Sequence, residues 1–140
     1  MAIAKWATPS SRSANLASTT LNSIASGSET AAISYDNSIN RDLYAAITIK
    51  LGSLTPTTGG SITLRIYTGD GTDVPDIGGG TFDSYTAALI TGASAKIVVF
   101  PMVRLYPFSN IRFTVVNSAG VSTVASGNEF YVRPFNEDVS

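Results

Sequence analysis

Apolar and polar residues alternate along most of the chain. Between residues 43 and 51, Leu43, Ala45, Ile47, Ile49 and Leu51 occupy every second position, opposite Tyr44, Ala46, Thr48 and Lys50. Successive side chains of a strand point to opposite faces, so this period buries one face and wets the other. The same period recurs at Ala31, Ile33 and Tyr35, at Ile62, Leu64 and Ile66, at Ile111, Phe113 and Val115, and at Phe130 and Val132. The clean run over 43–51 predicts a central strand. The run over 62–66 follows it after Thr55-Pro-Thr-Thr-Gly-Gly and predicts its hairpin partner across a long connection. A shorter strand is predicted over 85–90. Residues 96–105 are apolar on both faces at Ile97, Val98, Val99 and Phe100, and Pro101, which has no N–H for a ladder, predicts an edge or a bulge there.

Turn chemistry separates the runs. Asp36-Asn-Ser, Asn117-Ser-Ala-Gly and Ser126-Gly-Asn are turn sequences, and residues 70–84 form a loop marked by Gly71 and by Gly78 to Gly80. The long 68–84 connection suits a Greek-key crossing. About eight strands without a helix after residue 28 predict an all-β chain, an antiparallel β-sandwich of the jelly-roll kind over residues 29–140.

Residues 1–28 are built differently. They are rich in Ser, Thr and Ala, carry Lys5 and Arg12, and hold no acid until Glu29. Ala14, Ala17, Leu21 and Ile24 fall at helical spacing, but Ser18, Thr19, Thr20, Asn22 and Ser23 are weak helix formers. The stretch is expected to be an extended N-terminal arm, laid on its own domain or on a neighbouring subunit. Trp6, Arg12, Leu16, Leu21 and Ile24 are its candidate partner-binding residues, because large aromatic and aliphatic anchors dominate interface energetics.

Composition narrows the function. The chain has 140 residues, enough for one domain with a core, and only 14% of them are charged. A formal net charge of −1 with nine scattered cations gives no footprint for nucleic acid or an anionic membrane surface. The absence of His and Cys removes the commonest general base, thiol chemistry and the usual zinc ligands, and the acids sit mostly in turns, so no enzyme and no cofactor is expected. Asp70, Asp73 and Asp76 have a spacing that can wrap a cation, though without the order or the closing Glu of an EF-hand loop, and the turn-forming role is the expectation. Tyr44, Tyr67, Phe82, Tyr85, Tyr106 and Tyr131 offer an alternative, a sugar-stacking platform on a carbohydrate- or receptor-binding module of a tail or fibre.

Three stretches carry a family likeness: Tyr35-Asp-Asn-Ser-Ile-Asn-Arg, Gly52-Ser-Leu-Thr-Pro-Thr-Thr-Gly-Gly-Ser-Ile-Thr-Leu, and the C-terminal part from Phe108 through Ala125-Ser-Gly-Asn to Tyr131-Val-Arg-Pro-Phe-Asn-Glu. In these the chain resembles small virion proteins of tailed bacteriophages, notably capsid decoration (cement) proteins with a jelly-roll domain. The resemblance implies a protein made in the host cytoplasm and placed on the capsid surface of the virion. It also implies the major capsid protein as partner, a homo-oligomer (dimer or trimer), and a role in clamping capsid subunits without catalysis. The arm matches nothing in that likeness.

Overall fold

The structure is a computed structural model that describes residues 3–79, 82–107 and 110–139. Of the positions singled out above, Gly80 and Phe108 lie outside the described residues. The strands are β1 (Ala4–Trp6), β2 (Ile33–Tyr35), β3 (Tyr44–Leu54), β4 (Ser61–Tyr67), β5 (Asp83–Ala88), β6 (Ser94–Arg104), β7 (Ile111–Ser118), β8 (Glu129–Phe135) and β9 (Glu137–Val139). No helix occurs among the described residues.

The strands build an antiparallel β-sandwich. One sheet has the order β2-β7-β4-β5, the other β6-β3-β8, and β1 with β9 makes a separate two-stranded ribbon. The alternation of the sequence maps onto the two inner faces. Ala45, Ile47, Ile49 and Leu51 of β3 and Phe130 and Val132 of β8 face Ile62, Leu64 and Ile66 of β4 and Ile111, Phe113 and Val115 of β7, all buried. Each such Val, Leu, Ile or Phe side chain stabilises the fold by about 1.5–3 kcal/mol relative to exposure. Leu43 falls outside this pattern: it precedes β3 and is exposed, its N–H held by Asn136 Oδ1 at 2.6 Å.

Two expected connections are reversed. Strands β3 and β4 are not a hairpin, because β3 pairs with β6 and β8 while β4 pairs with β5 and β7. The short 55–60 link crosses between sheets, a gap of about 10 Å that six residues span easily. The long 68–82 link instead joins β4 to its sheet neighbour β5. Pro101 fulfils both of its options. Strand β6 is the edge of its sheet, and the register shifts from Ile47↔Phe100 to Ala45↔Val103, so Pro101 and Met102 form a bulge.

The N-terminal segment is extended and lies on its own domain. N–H groups of Ala7, Ser10, Ser13 and Leu16 donate to the carbonyls of Asn136, Pro134, Val132 and Phe130 at 2.8–2.9 Å. Three arm residues thus run past every two strand residues, which is why no regular ladder forms. Side chains fill the remaining positions: the N–H of Phe130 donates to Asn15 Oδ1 and that of Val132 to Ser13 Oγ, each at 3.0 Å. The next turns enter the core, where Ala17 and Leu21 are each 1% exposed.

Three buried polar side chains clamp that entry. Asn128 Nδ2 donates to Leu21 O, Asn22 Oδ1 and Val124 O, while its Oδ1 accepts the N–H of Gly52. Thr123 Oγ1 donates to Leu21 O and accepts from the N–H of Ile24. Asn117 Nδ2 donates to Ile24 O and Val121 O. Buried carboxamides satisfied at this many positions fix one arrangement of the backbone around them.

Candidate functional site

The outer face of the three-stranded sheet carries a groove of about 610 Å³ lined by Trp6, Ala7, Pro9, Ala46, Pro101, Met102, Arg133 and Phe135. Four segments make it. Strand β3 presents Ala46, small enough to leave a floor; β8 presents Arg133 and Phe135; the β6 bulge turns Pro101 and Met102 outward; and the arm lays Trp6 to Pro9 along the rim. Trp6 stands edge-on to Tyr44 at 5.8 Å and to Phe135 at 5.5 Å, and Tyr44 stacks on Phe135 at 5.6 Å. Edge-to-face and offset pairs at these separations are the favoured aromatic arrangements. Trp6 nevertheless keeps 55% of its surface exposed, and Met102 and Leu43 are also exposed. Arg133 is the sole ionisable side chain among the lining residues, and its Nε already donates to Ser10 O at 3.1 Å.

The sequence candidates fall into different places. Trp6 lines the groove. Arg12 lies with its guanidinium carbon 3.7 Å from the centroid of the Tyr131 ring, further along the same face, where Lys50 pairs with Glu129 at 3.5 Å. Leu16 packs partly buried against the core, Leu21 is inside it, and Ile24 is half-buried above Thr123. Of the five, Trp6 and Arg12 present surface to a partner in this arrangement.

The remaining candidates resolve into local roles. Asp70 Oδ1 accepts the N–H groups of Thr72 and Asp73 at 2.9 Å, which caps its own turn, and these hydrogen bonds hold its carboxyl below the ordinary value. Among the described residues no three acids gather as a metal site, so Asp70, Asp73 and Asp76 do not converge. The six aromatics do not share a surface. Tyr67 is fully buried, Tyr85 leans toward Phe100, and Tyr106 donates to Asp83 at 2.5 Å.

One polar cluster was not legible as such. Glu29 accepts from Thr114 Oγ1 at 2.5 Å, Tyr67 hydroxyl at 2.7 Å and Arg65 Nη1 at 2.9 Å, and Arg65 stacks over Phe82 at 4.4 Å. It ties the end of the N-terminal segment to β4, β7 and the 68–82 loop. The groove itself had one signal in sequence, aromatic side chains at Tyr44 and Phe135 on the otherwise polar sides of two alternating runs.

The chain matches no known protein family and no curated protein sequence. Among the described residues no helix is long and apolar enough to cross a membrane.

Proposed function

We propose that the chain is a non-enzymatic capsid decoration protein, held on the outer surface of a tailed-phage head, as its sequence likeness implies. In this reading the Trp6 groove receives an apolar side chain of the major capsid protein. The observation that carries the reading is the groove: an open, nearly uncharged cleft walled by Trp6 and Phe135, with Tyr44 packed against both. Exposed apolar clefts of this kind mark protein docking sites, and Trp is among the residues that contribute most to the energetics of such sites. A sugar site needs polar groups converging on hydroxyls, and here Arg133 alone lines the cleft with a charged head, already bonded to the arm. The jelly-roll connectivity belongs to the same proposal; the strand order by itself establishes the sandwich.

The test is co-sedimentation with phage heads assembled without the protein. Met102→Glu places a charge in the cleft without touching the core and is expected to lower head occupancy by roughly 10-fold or more, the equivalent of one desolvated apolar contact. Trp6→Ala is expected to do the same. Full occupancy by both variants, or binding of the wild type to a glycan array instead of heads, defeats the proposal.

A further inference from the structure

Charges scattered along the sequence are gathered by the fold. On the outer face of the three-stranded sheet the charged side chains are Lys50, Arg104, Glu129 and Arg133, and the arm adds Arg12. Four cations and one acid give this face a charge of +3, whereas the whole chain carries −1, so the rest of the molecule carries −4. Glu137 reaches the Tyr44 hydroxyl at 3.5 Å at one end of the face, and with it counted the face is still positive. Lys50 pairs with Glu129 at 3.5 Å, but Arg12, Arg104 and Arg133 pair with no carboxylate among the described residues. This unpaired charge lies beside the groove. Arg133 lines it, and Arg12 stands over the Tyr131 ring at 3.7 Å, with Lys50 at 5.6 Å from the same ring. Tyr131 is level with Thr48, and Arg133 with the groove floor Ala46. The Arg12 spot is therefore two residues along the strands from the groove, about 7 Å. Arg12 is exposed, and a guanidinium laid over a ring keeps open the N–H edge that takes a carboxylate in a two-bond fork.

We infer that the protein segment received by the groove is acidic: beside its apolar anchor it carries an Asp or Glu whose carboxylate meets Arg12, next to Tyr131 and Lys50. The inference rests on the groove reading above and adds the partner's charge to it. Charge complementarity singles out this occupant. A second copy presenting the same face would oppose positive with positive. An uncharged apolar segment would fill the groove but strip water from Arg12 and Lys50, two cations at one ring with Glu129 alone between them. Duplex nucleic acid keeps its bases stacked and offers phosphates to a cleft walled by Trp6, Pro9, Met102 and Phe135, which calls for an apolar side chain. A segment with both kinds of group satisfies both halves of the face. In an extended segment about 7 Å is two residues, so anchor and acid stand at alternate positions, on one side of the partner's backbone. The same asymmetry turns this face toward an acidic surface during approach, although the chain as a whole is weakly negative.

Co-sedimentation with phage heads assembled without the protein, read as affinity across a salt series, tests the inference. Wild-type affinity is expected to fall about 10-fold between low salt and about 0.5 M NaCl, where exposed charges are screened. Arg12→Glu reverses an exposed charge outside the groove and is expected to keep the circular dichroism and melting of the wild type. It should bind heads roughly 10-fold more weakly at low salt and lose most of that deficit at high salt, whereas Arg12→Lys should stay within about 3-fold of the wild type. Trp6→Ala separates the two readings, because an apolar contact is not screened and its loss should show at every salt concentration. If Trp6→Ala weakens binding while neither salt nor Arg12→Glu changes it, the groove stands and the acidic partner is overturned. If the wild type binds heads at no salt concentration, the groove reading falls and this inference with it. Salt-sensitive binding of the wild type to double-stranded DNA, lost in Arg12→Glu, also overturns the inference, since the face would then take any polyanion.

Discussion

Glu29 shows how much one half-buried carboxylate can hold. Burial pushes its pKa up, but the hydrogen bonds from Thr114 and Tyr67, with the charge and hydrogen bond of Arg65, outweigh burial and keep it below its ordinary value of 4.5. A group whose pKa is lowered by folding stabilises the fold above its unfolded pKa, and that contribution is lost as pH falls through the folded value. Urea denaturation should therefore show the wild type losing stability as pH drops below 4.5. Glu29→Gln keeps the shape but removes the charge, leaving Arg65 beside a neutral amide, and should cost about 1–3 kcal/mol near pH 7. The difference between the two proteins should shrink on acidification; a constant difference from pH 7 to below 4 would mean that Glu29 acts by packing alone. Asp70 has a lowered pKa as well, but it is fully exposed and serves only its own turn.

The arm divides into two elements with different duties. Residues 3–14 cover most of the β8 edge and carry Trp6 to the groove, Asn15 and Leu16 complete that cover at Phe130, and 17–28 enter the core through Leu21 and the Asn117, Thr123 and Asn128 clamp. Deletion of residues 2–14 should leave a folded sandwich with a lower melting temperature and no groove rim. Deletion of residues 2–28 should fail to fold, because it strips the buried Asn128, Thr123 and Asn117 of their bonds to Leu21, Asn22 and Ile24, at about 1–3 kcal/mol for each buried polar group left unpaired, and opens a cavity at Leu21. Circular dichroism and thermal melts of the two truncations distinguish these outcomes; a cooperative melt for the longer deletion would show that the clamp is dispensable. The same contrast shows what sequence pattern conveys. Alternation at Ile47, Ile62, Phe113 and Phe130 tells which face of a strand is inside, and it located the core strands. It does not tell which strand lies alongside, so β3 and β4 were expected side by side although they face each other across the core. Leu21 read as an anchor for a partner because the Ser, Thr and Asn residues around it gave no period. The hydrogen bonds that seat Leu21 come to its carbonyl from Thr123 Oγ1 and Asn128 Nδ2, about a hundred positions away. Likewise the groove joins Trp6, Ala46, Met102 and Phe135 from four separate segments, a juxtaposition made only by folding.

Considered as a whole, the molecule holds its edges by unlike means, and hydrogen exchange should reveal it. Strand β3 lies between two strands, and β7 and β4 are interior to the other sheet, so their paired amides should exchange slowest, near the global unfolding limit. By strand order alone β8 is an edge, yet the Phe130 and Val132 N–H groups are bonded to Asn15 Oδ1 and Ser13 Oγ. These two amides should be protected to a degree approaching that of β3. In dilute protein, the β6 amides that point away from β3 have no such cover and should exchange quickly, because in an antiparallel pair only alternate residues donate toward the partner strand. The three-residue ribbon of β1 and β9, closed by an exposed Lys5–Asp138 pair at 4.0 Å, should exchange fastest of the paired strands. If Phe130 and Val132 exchanged as fast as the free edge of β6, the arm would be dissociating from β8 on that timescale, and the sealed side of the sandwich would be open in solution. The expected asymmetry has a physical root in the acceptors themselves: a polar, irregular arm can satisfy a strand edge with side-chain oxygens where it cannot match its register, whereas no such arm runs along the outer edge of β6 among the described residues.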